Sequence, residues 1–231
     1  MKKAVTTTLA VLALLGAPSV AIAQSSPSNN LVEADAKQAE TELRQLLQDY
    51  AGFSAAFTQS VTDSDNNLLH SAQGQLQFKQ PGQFRWQIEE PEPELLLSDG
   101  TVLWWYNPFV EQVSIFDAAD AVATTPFALL VSQSDAVWSK FAILKDQNAF
   151  VITPKDSDGQ VLQLSIKFKN NILTGIQVIS RSRRVSDYAL SKQTFDLPKD
   201  ASFTFDVPAG TDIDDQRRAA QELISDGNVQ F

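Results

Sequence analysis

The chain has 231 residues, a formal net charge of −10 and no cysteine. The negative balance argues against nucleic acid and anionic lipid surfaces as partners. The missing cysteine excludes disulfides, thiol catalysis, Cys-based zinc sites and lipid attachment through an N-terminal cysteine.

Residues 1–23 read as a secretory signal. Lys2 and Lys3 precede a small apolar run, Ala4 to Ala17, and Ala21-Ile22-Ala23 fits an A-x-A cleavage site. Cleavage there makes Gln24 the first mature residue and, by removing two lysines, takes the charge to −12. No other stretch is apolar for the length a bilayer span needs. The mature chain, 24–231, is expected to be one soluble domain, because no linker or repeat divides it.

Gln24 to Asn30 reads as a flexible leader. Asn30, with Glu33 three residues on, makes a capping-box start for a helix. Val32, Ala36, Ala39, Leu43, Leu46, Leu47 and Tyr50 then recur at steps of three and four, one helical face. That face suits a core helix or a movable cover over a cavity. Gly52 ends it.

From Phe53 to Phe116 the pattern is all β. Leu76 and Phe78, then Phe84, Trp86 and Ile88, alternate with polar residues, the period-2 signature of strands with one wet and one dry face. Pro81-Gly82 is the turn between them. His70, the single histidine, falls in NNLLHSAQG, a loop or hairpin, and reads as a surface residue. Asp99-Gly100 signals a hairpin. Val102 to Tyr106 is the next strand, Asn107-Pro108 breaks it, and Phe109 and Val110 begin another. Trp104, Trp105, Tyr106 and Phe109 fall within six positions, and each can bury roughly 150–250 Å². This hairpin therefore faces a large apolar partner, either the core of a β-domain or the wall of a ligand cavity.

Ala118 to Lys140 interrupts the strands. Thr125 caps a short helix that begins at Pro126 and carries Phe127, Leu129, Leu130 and Val131. Ser134-Asp135 caps a second one carrying Val137 and Trp138. Both are placed to plug a sheet edge or face. Strands resume at Phe150 and run to Phe205, for about eleven or twelve in all. Arg181, Arg183 and Arg184 sit at a strand boundary, as a solvated face. Gln216 to Ile224 reads as a helical tail.

No chemistry of bond-making is legible. There is no Gly-x-Ser-x-Gly elbow for His70 to serve, no phosphate-cradling glycine loop, and no carboxylate pair with a histidine to hold a transition metal. No cofactor or metal is expected, and an ester hydrolase is disfavoured.

The string from Asp99 to Gln112, DG-x-x-LW-x-YNPFVEQ, strongly resembles the signature of the LolA family of periplasmic outer-membrane lipoprotein carriers. Phe57-Thr58-Gln59, Gln73-Gly74, Phe84, Trp86, Thr125-Pro126-Phe127 and Asp214 to Arg217 match in order. The resemblance covers 31–218 and leaves 219–231 as an extra tail. It implies a mainly β fold with an α lid: an unclosed antiparallel β-barrel of about eleven strands, covered by short helices. It also implies a monomeric, non-enzymatic chaperone that takes acylated lipoproteins from the inner-membrane LolCDE complex. Their acyl chains would lie in a hydrophobic cavity until handed to the outer-membrane receptor LolB. A binding protein for another amphiphile, such as a glycolipid, is the alternative on the same scaffold. The cavity and lid residues expected on this basis are Leu43, Leu47, Phe84, Trp86, Ile88, Trp104, Tyr106, Phe109, Phe127 and Leu130. The family's Lys-Arg-Pro, whose arginine is implicated in lid closure, is here Lys79-Gln80-Pro81. Gln80 is thus the lid-latch position, without the charge. Arg85 is a poor substitute, since alternation sets it opposite Phe84.

Overall fold

The computed structural model describes residues 27–119, 128–131, 134–156 and 159–217. They form one twelve-stranded sheet with a long helix laid on it. Helix α1 is Pro27–Gln48; β1 is Gly52–Thr62, β2 Leu68–Lys79, β3 Gln83–Glu90, β4 Glu94–Asp99, β5 Val102–Asn107 and β6 Gln112–Asp117. Two single-turn helices follow, α2 (Ala128–Val131) and α3 (Asp135–Trp138). Then come β7 Phe141–Asp146, β8 Ala149–Pro154, β9 Val161–Lys169, β10 Ile172–Ser180, β11 Val185–Thr194, a 3-10 turn at Asp200–Phe203, and β12 Asp212–Asp215.

The strand order is β12-β6-β5-β4-β3-β2-β1-β11-β10-β9-β8-β7. Every neighbouring pair is antiparallel except β12 with β6. β12 and β7 are the two ends of that order, so the sheet is an unclosed barrel. Short polar side chains fold the hairpin turns. Asp63 Oδ1 accepts the amides of Asp65 and Asn67, both at 2.9 Å. Asp99 Oδ1 accepts those of Thr101 and Val102 at 2.7 and 2.8 Å, and Asn107 Oδ1 accepts that of Phe109 at 2.9 Å. Each is an Asx turn, which replaces lost ladder hydrogen bonds where the chain reverses.

Directly paired residues in an antiparallel ladder point to the same face, so register sorts the side chains. One face carries Phe53, Phe57, Leu76, Phe78, Phe84 and Trp86 from β1 to β3, and Leu190, Ile176, Ile166 and Ile152 from β11 to β8. This face, with Leu43 and Leu47 of α1, Leu129 and Leu130 of α2 and Trp138 of α3, forms the main core.

Several sequence-based expectations need correcting. α1 begins at Pro27, so Asn30 lies within the helix, not at its cap; proline suits a first helical position because its missing N–H has no partner there anyway. His70 needs no correction: it is exposed in the β1–β2 hairpin, on β2 opposite Val61. Phe109 and Val110 belong to the β5–β6 turn. β7 precedes Phe150, and its alternation was hidden by the charged end of FAILKD. Phe203 closes the 3-10 turn and Phe205 follows it, outside any strand. Gln216 and Arg217 are not helical. The signal, Thr125 to Phe127 and the tail beyond Arg217 lie outside the described residues.

Gly74 holds the centre of the sheet together by having no side chain. A Cβ there would sit 2.0 Å from the Gln87 carbonyl oxygen and 2.8 Å from Phe57 Cζ. Gly74→Ala is therefore expected to lower unfolding stability by about 3 kcal/mol, the upper end of overpacking costs. Urea denaturation of the purified variant measures it.

Candidate functional site

The inner face is filled at one end and open at the other. At the filled end α1 lies across it and buries Ala39, Leu43 and Leu47, with Tyr50 buried just past its last turn. These residues follow i, i+4, i+8 and i+11, one apolar stripe. The remaining turns of α1 are amphipathic, with Glu33, Lys37 and Gln38 in water.

Polar contacts fasten the C-terminal part of α1. Gln80 Nε2 donates to the Leu47 carbonyl at 2.9 Å, on the last turn of the helix where carbonyls lack intrahelical donors. Tyr50 Oη donates to the Asn171 carbonyl at 2.5 Å and accepts the Leu173 amide at 3.1 Å, pinning the helix exit to the β9–β10 turn. Arg44 joins Glu40 at 2.8 Å and Asp135 at 2.7 Å, with its guanidinium 4.5 Å from the Trp138 ring. Lys145 on β7 meets Glu42. The ion pairs are partly or fully exposed, so each is worth little; the leucines and the Gln80 and Tyr50 contacts hold the helix.

Toward the opposite end the inner face is only half covered by the described residues. Trp86, Ile88, Leu96, Phe116, Val178 and Tyr188 are partly exposed, and Trp105 is 50% exposed. Between the two ends lies an aromatic floor. Trp86 on β3 packs edge-on against Tyr188 on β11, ring centres 4.8 Å apart at 90°. Phe57 on β1 touches both, at 4.9 and 5.8 Å. The floor carries polar groups as well. Gln59 Nε2 donates to Tyr188 Oη at 2.9 Å, and the Trp105 indole N–H donates to the Glu94 carboxylate at the rim.

Of the expected cavity and lid residues, the structure brings together Leu43, Leu47, Phe84, Trp86, Ile88 and Leu130. It does not bring in three others. Trp104 pairs with Leu97 and Ile115, and Tyr106 with Leu95 and Val113. All of these are on the outer face, where Trp104 and Tyr106 pack against Phe205 with ring centres at 6.4 and 5.3 Å. Leu97, Val113 and Phe203 are buried in this second, smaller cluster under the C-terminal segment. The inner wall of β5 is made instead by Leu103 and Trp105, which pair with Ser98 and Leu96. Phe109 is 81% exposed at the hairpin tip, and Phe127 lies outside the described residues. Gln80 does contact the helix, at the Leu47 carbonyl. Arg85 points to the outer face and bonds Gln87 at 2.8 Å and the Ser202 carbonyl at 3.5 Å, away from α1. Sequence reasoning missed Phe57, Leu96, Trp105, Phe116, Val178 and Tyr188. Period-2 counting from Trp86 across the register would have found Trp105 in place of Trp104.

An unclosed β half-barrel with a dry inner face, a helix across one end and aromatic residues left half-bare at the other defines the class. The outer membrane lipoprotein carrier protein LolA family model matches residues 48–206. The chain is 36% identical over 180 residues to an outer-membrane lipoprotein carrier protein of Shewanella halifaxensis, covering 78% of this chain and 86% of that one. It is 38% identical over 178 residues to its counterpart in Shewanella baltica, covering 77% and 86%. For that of Aliivibrio fischeri the figures are 35% over 179 residues, 77% and 90%. A crystal structure of a LolA superfamily protein from Nitrosomonas europaea is similar at 12% identity and a TM-score of 0.46, covering 74% of this chain and 98% of that one. This chain belongs to the LolA family.

Burial pushes the Tyr188 phenol from its ordinary 10.0 up to about 12, with a smaller push in the same direction from the Glu94 carboxylate and against the hydrogen bonds of Ser186 and Gln59. Its folded value is the raised one, so the neutral phenol's stabilisation is complete below pH 10 and is lost as pH rises through about 12. The two-unit gap corresponds to about 2–3 kcal/mol. Tyr50 shifts the same way by burial. Urea midpoints at pH 9 and 11.5 are expected to differ less in Tyr188→Phe than in the parent chain.

Proposed function

We propose that this protein is a periplasmic, non-enzymatic carrier of lipoproteins that shelters their acyl chains on the open half of its inner face. In this reading the signal at 1–23 exports it and residues 24–231 work as one monomeric domain. Acylated lipoproteins reach it from the inner-membrane LolCDE complex and leave it for the outer-membrane receptor LolB. Family membership supports the carrier role, and the half-exposed aromatic wall of Trp86, Leu96, Trp105 and Phe116 is the single observation that carries it. No helix among the described residues is long and apolar enough to cross a membrane.

Magnitudes explain why such a carrier works. An acyl chain of about sixteen carbons loses on the order of 12 kcal/mol when moved into water, at about 0.8 kcal/mol per CH₂. Lifting α1 would uncover Leu43 and Leu47, at about 1.5–3 kcal/mol each, and break the Gln80 contact and the two Tyr50 hydrogen bonds, each worth about 1 kcal/mol. One chain therefore outweighs the helix, so entering cargo can displace it. With the cargo gone, the same stripe covers the core again and hides apolar surface that would otherwise aggregate. The uncharged Gln80 makes a neutral latch, weaker than the charge-assisted bond an arginine would make to a helix C-terminus.

The test is to purify the mature protein from its host and identify the bound molecules by mass spectrometry. Acylated polypeptides are expected to co-purify. Trp86→Glu sets a charge in the floor and should lower binding of a diacylated peptide by about a hundredfold, whereas Tyr106→Phe on the outer face should leave it unchanged. Recovery of glycolipid alone would overturn the lipoprotein reading.

A further inference from the structure

Gln59 is out of place on the inner face. Register sets it beside Ala72 of β2 and Tyr188 of β11, with Phe57 and Val61 as its neighbours on the same face of β1. Its Nε2 is used on the Tyr188 hydroxyl at 2.9 Å. Its Oε1 is buried and accepts no hydrogen bond. An unmet buried acceptor is costly, and a leucine would suit an apolar floor better. The position calls for a donor from outside the protein.

The ligand class follows from that chemistry. A hydrocarbon chain offers no donor, and neither does a phosphatidylcholine. A chain joined to a polypeptide through an amide brings one N–H at the junction of its apolar and polar parts. Gln59 stands one step along the inner face from the row that runs from Phe57 through Gly74 and Ile88 to Glu94, where apolar side chains give way to polar ones.

We propose that Gln59 is a specificity-determining residue whose Oε1 accepts the N–H of the amide linking an acyl chain to the carried polypeptide. This rests on the carrier reading and sharpens it: the hollow selects acylated peptide over a lipid with the same chains whose headgroup has no hydrogen-bond donor, such as a phosphatidylcholine. Tyr188 is the positioning residue, since its hydroxyl occupies the other end of the Gln59 amide and leaves Oε1 as the end to be met. The ring of Trp86, edge-on to Tyr188, fixes that phenol in turn.

The experiment compares two synthetic probes, an N-palmitoyl hexapeptide and its ester isostere, in which oxygen replaces the acyl amide N–H. Titration calorimetry is run with the parent protein and with Gln59→Leu. The parent is expected to bind the amide probe about tenfold more tightly, the worth of one buried hydrogen bond. Gln59→Leu is expected to bind both probes alike. Because the donor is removed from the ligand, the parent protein alone decides the matter even if the variant folds poorly. Equal affinity of the parent for the two probes overturns the role of Gln59 and leaves the carrier reading standing. The same preference persisting in Gln59→Leu also overturns it. Failure of the parent to bind either probe overturns both.

Discussion

A tryptophan on β3 touches a tyrosine on β11, three strands away. In a flat sheet that separation is about 14 Å, at roughly 4.8 Å per strand, yet the rings of Trp86 and Tyr188 lie 4.8 Å apart. The sheet must therefore curl, and the side chains must lean into the concavity. Gly74 makes the curl possible on β2, because the ring of Phe57 and the carbonyl of Gln87 occupy the place its side chain would take. The floor this creates separates the part of the inner face that the protein fills for itself from the part it leaves half-exposed.

The two halves need different physics. In the filled half, α1 and the short helices bring Leu43, Leu47, Leu130 and Trp138 against Phe53, Phe78, Ile152 and Ile166, an ordinary close-packed interior. In the open half, partly exposed aromatics wait at the surface, where polarizable rings tolerate varied hydrocarbon shapes. In the proposed carrier the balance between the halves would keep binding reversible. There, a helix held by two leucines, one glutamine and one tyrosine would be firm enough to cover the core and loose enough for a single acyl chain to shift. Gln59 adds selectivity at the boundary, where an apolar wall by itself cannot tell one greasy chain from another.

Much of this was legible in the residues. Alternation at Phe84, Trp86 and Ile88 marked an inner face, the stripe at Ala39, Leu43, Leu47 and Tyr50 marked the covering helix, and Asp99-Gly100 marked its hairpin. What failed were matters of register. Trp104, Trp105 and Tyr106 form an unbroken aromatic run, so composition alone cannot say which of them faces inward. The ladder decides it, because Trp105 opposes Leu96 while Trp104 opposes Leu97. The outer cluster under Phe203 and Phe205 drew Trp104 and Tyr106 to itself, a contact between strand and C-terminal segment that no local pattern encodes. Phe109 was misplaced because hydrophobicity was allowed to outweigh Asn107-Pro108, whose turn ends the strand. Tyr188 and Gln59 went unremarked because each is an unexceptional strand residue until pairing sets them side by side.

The division of β5 between two faces is also where a direct measurement bears hardest. A diacylated peptide carrying a diazirine at the end of one acyl chain can be loaded, irradiated, and its attachment sites mapped by mass spectrometry. Chains held on the open inner face place the label on Trp86, Ile88, Leu96 or Trp105. Labelling of Trp104 or Tyr106 instead, or no labelling of the inner face at all, would contradict a hollow on that side of the sheet.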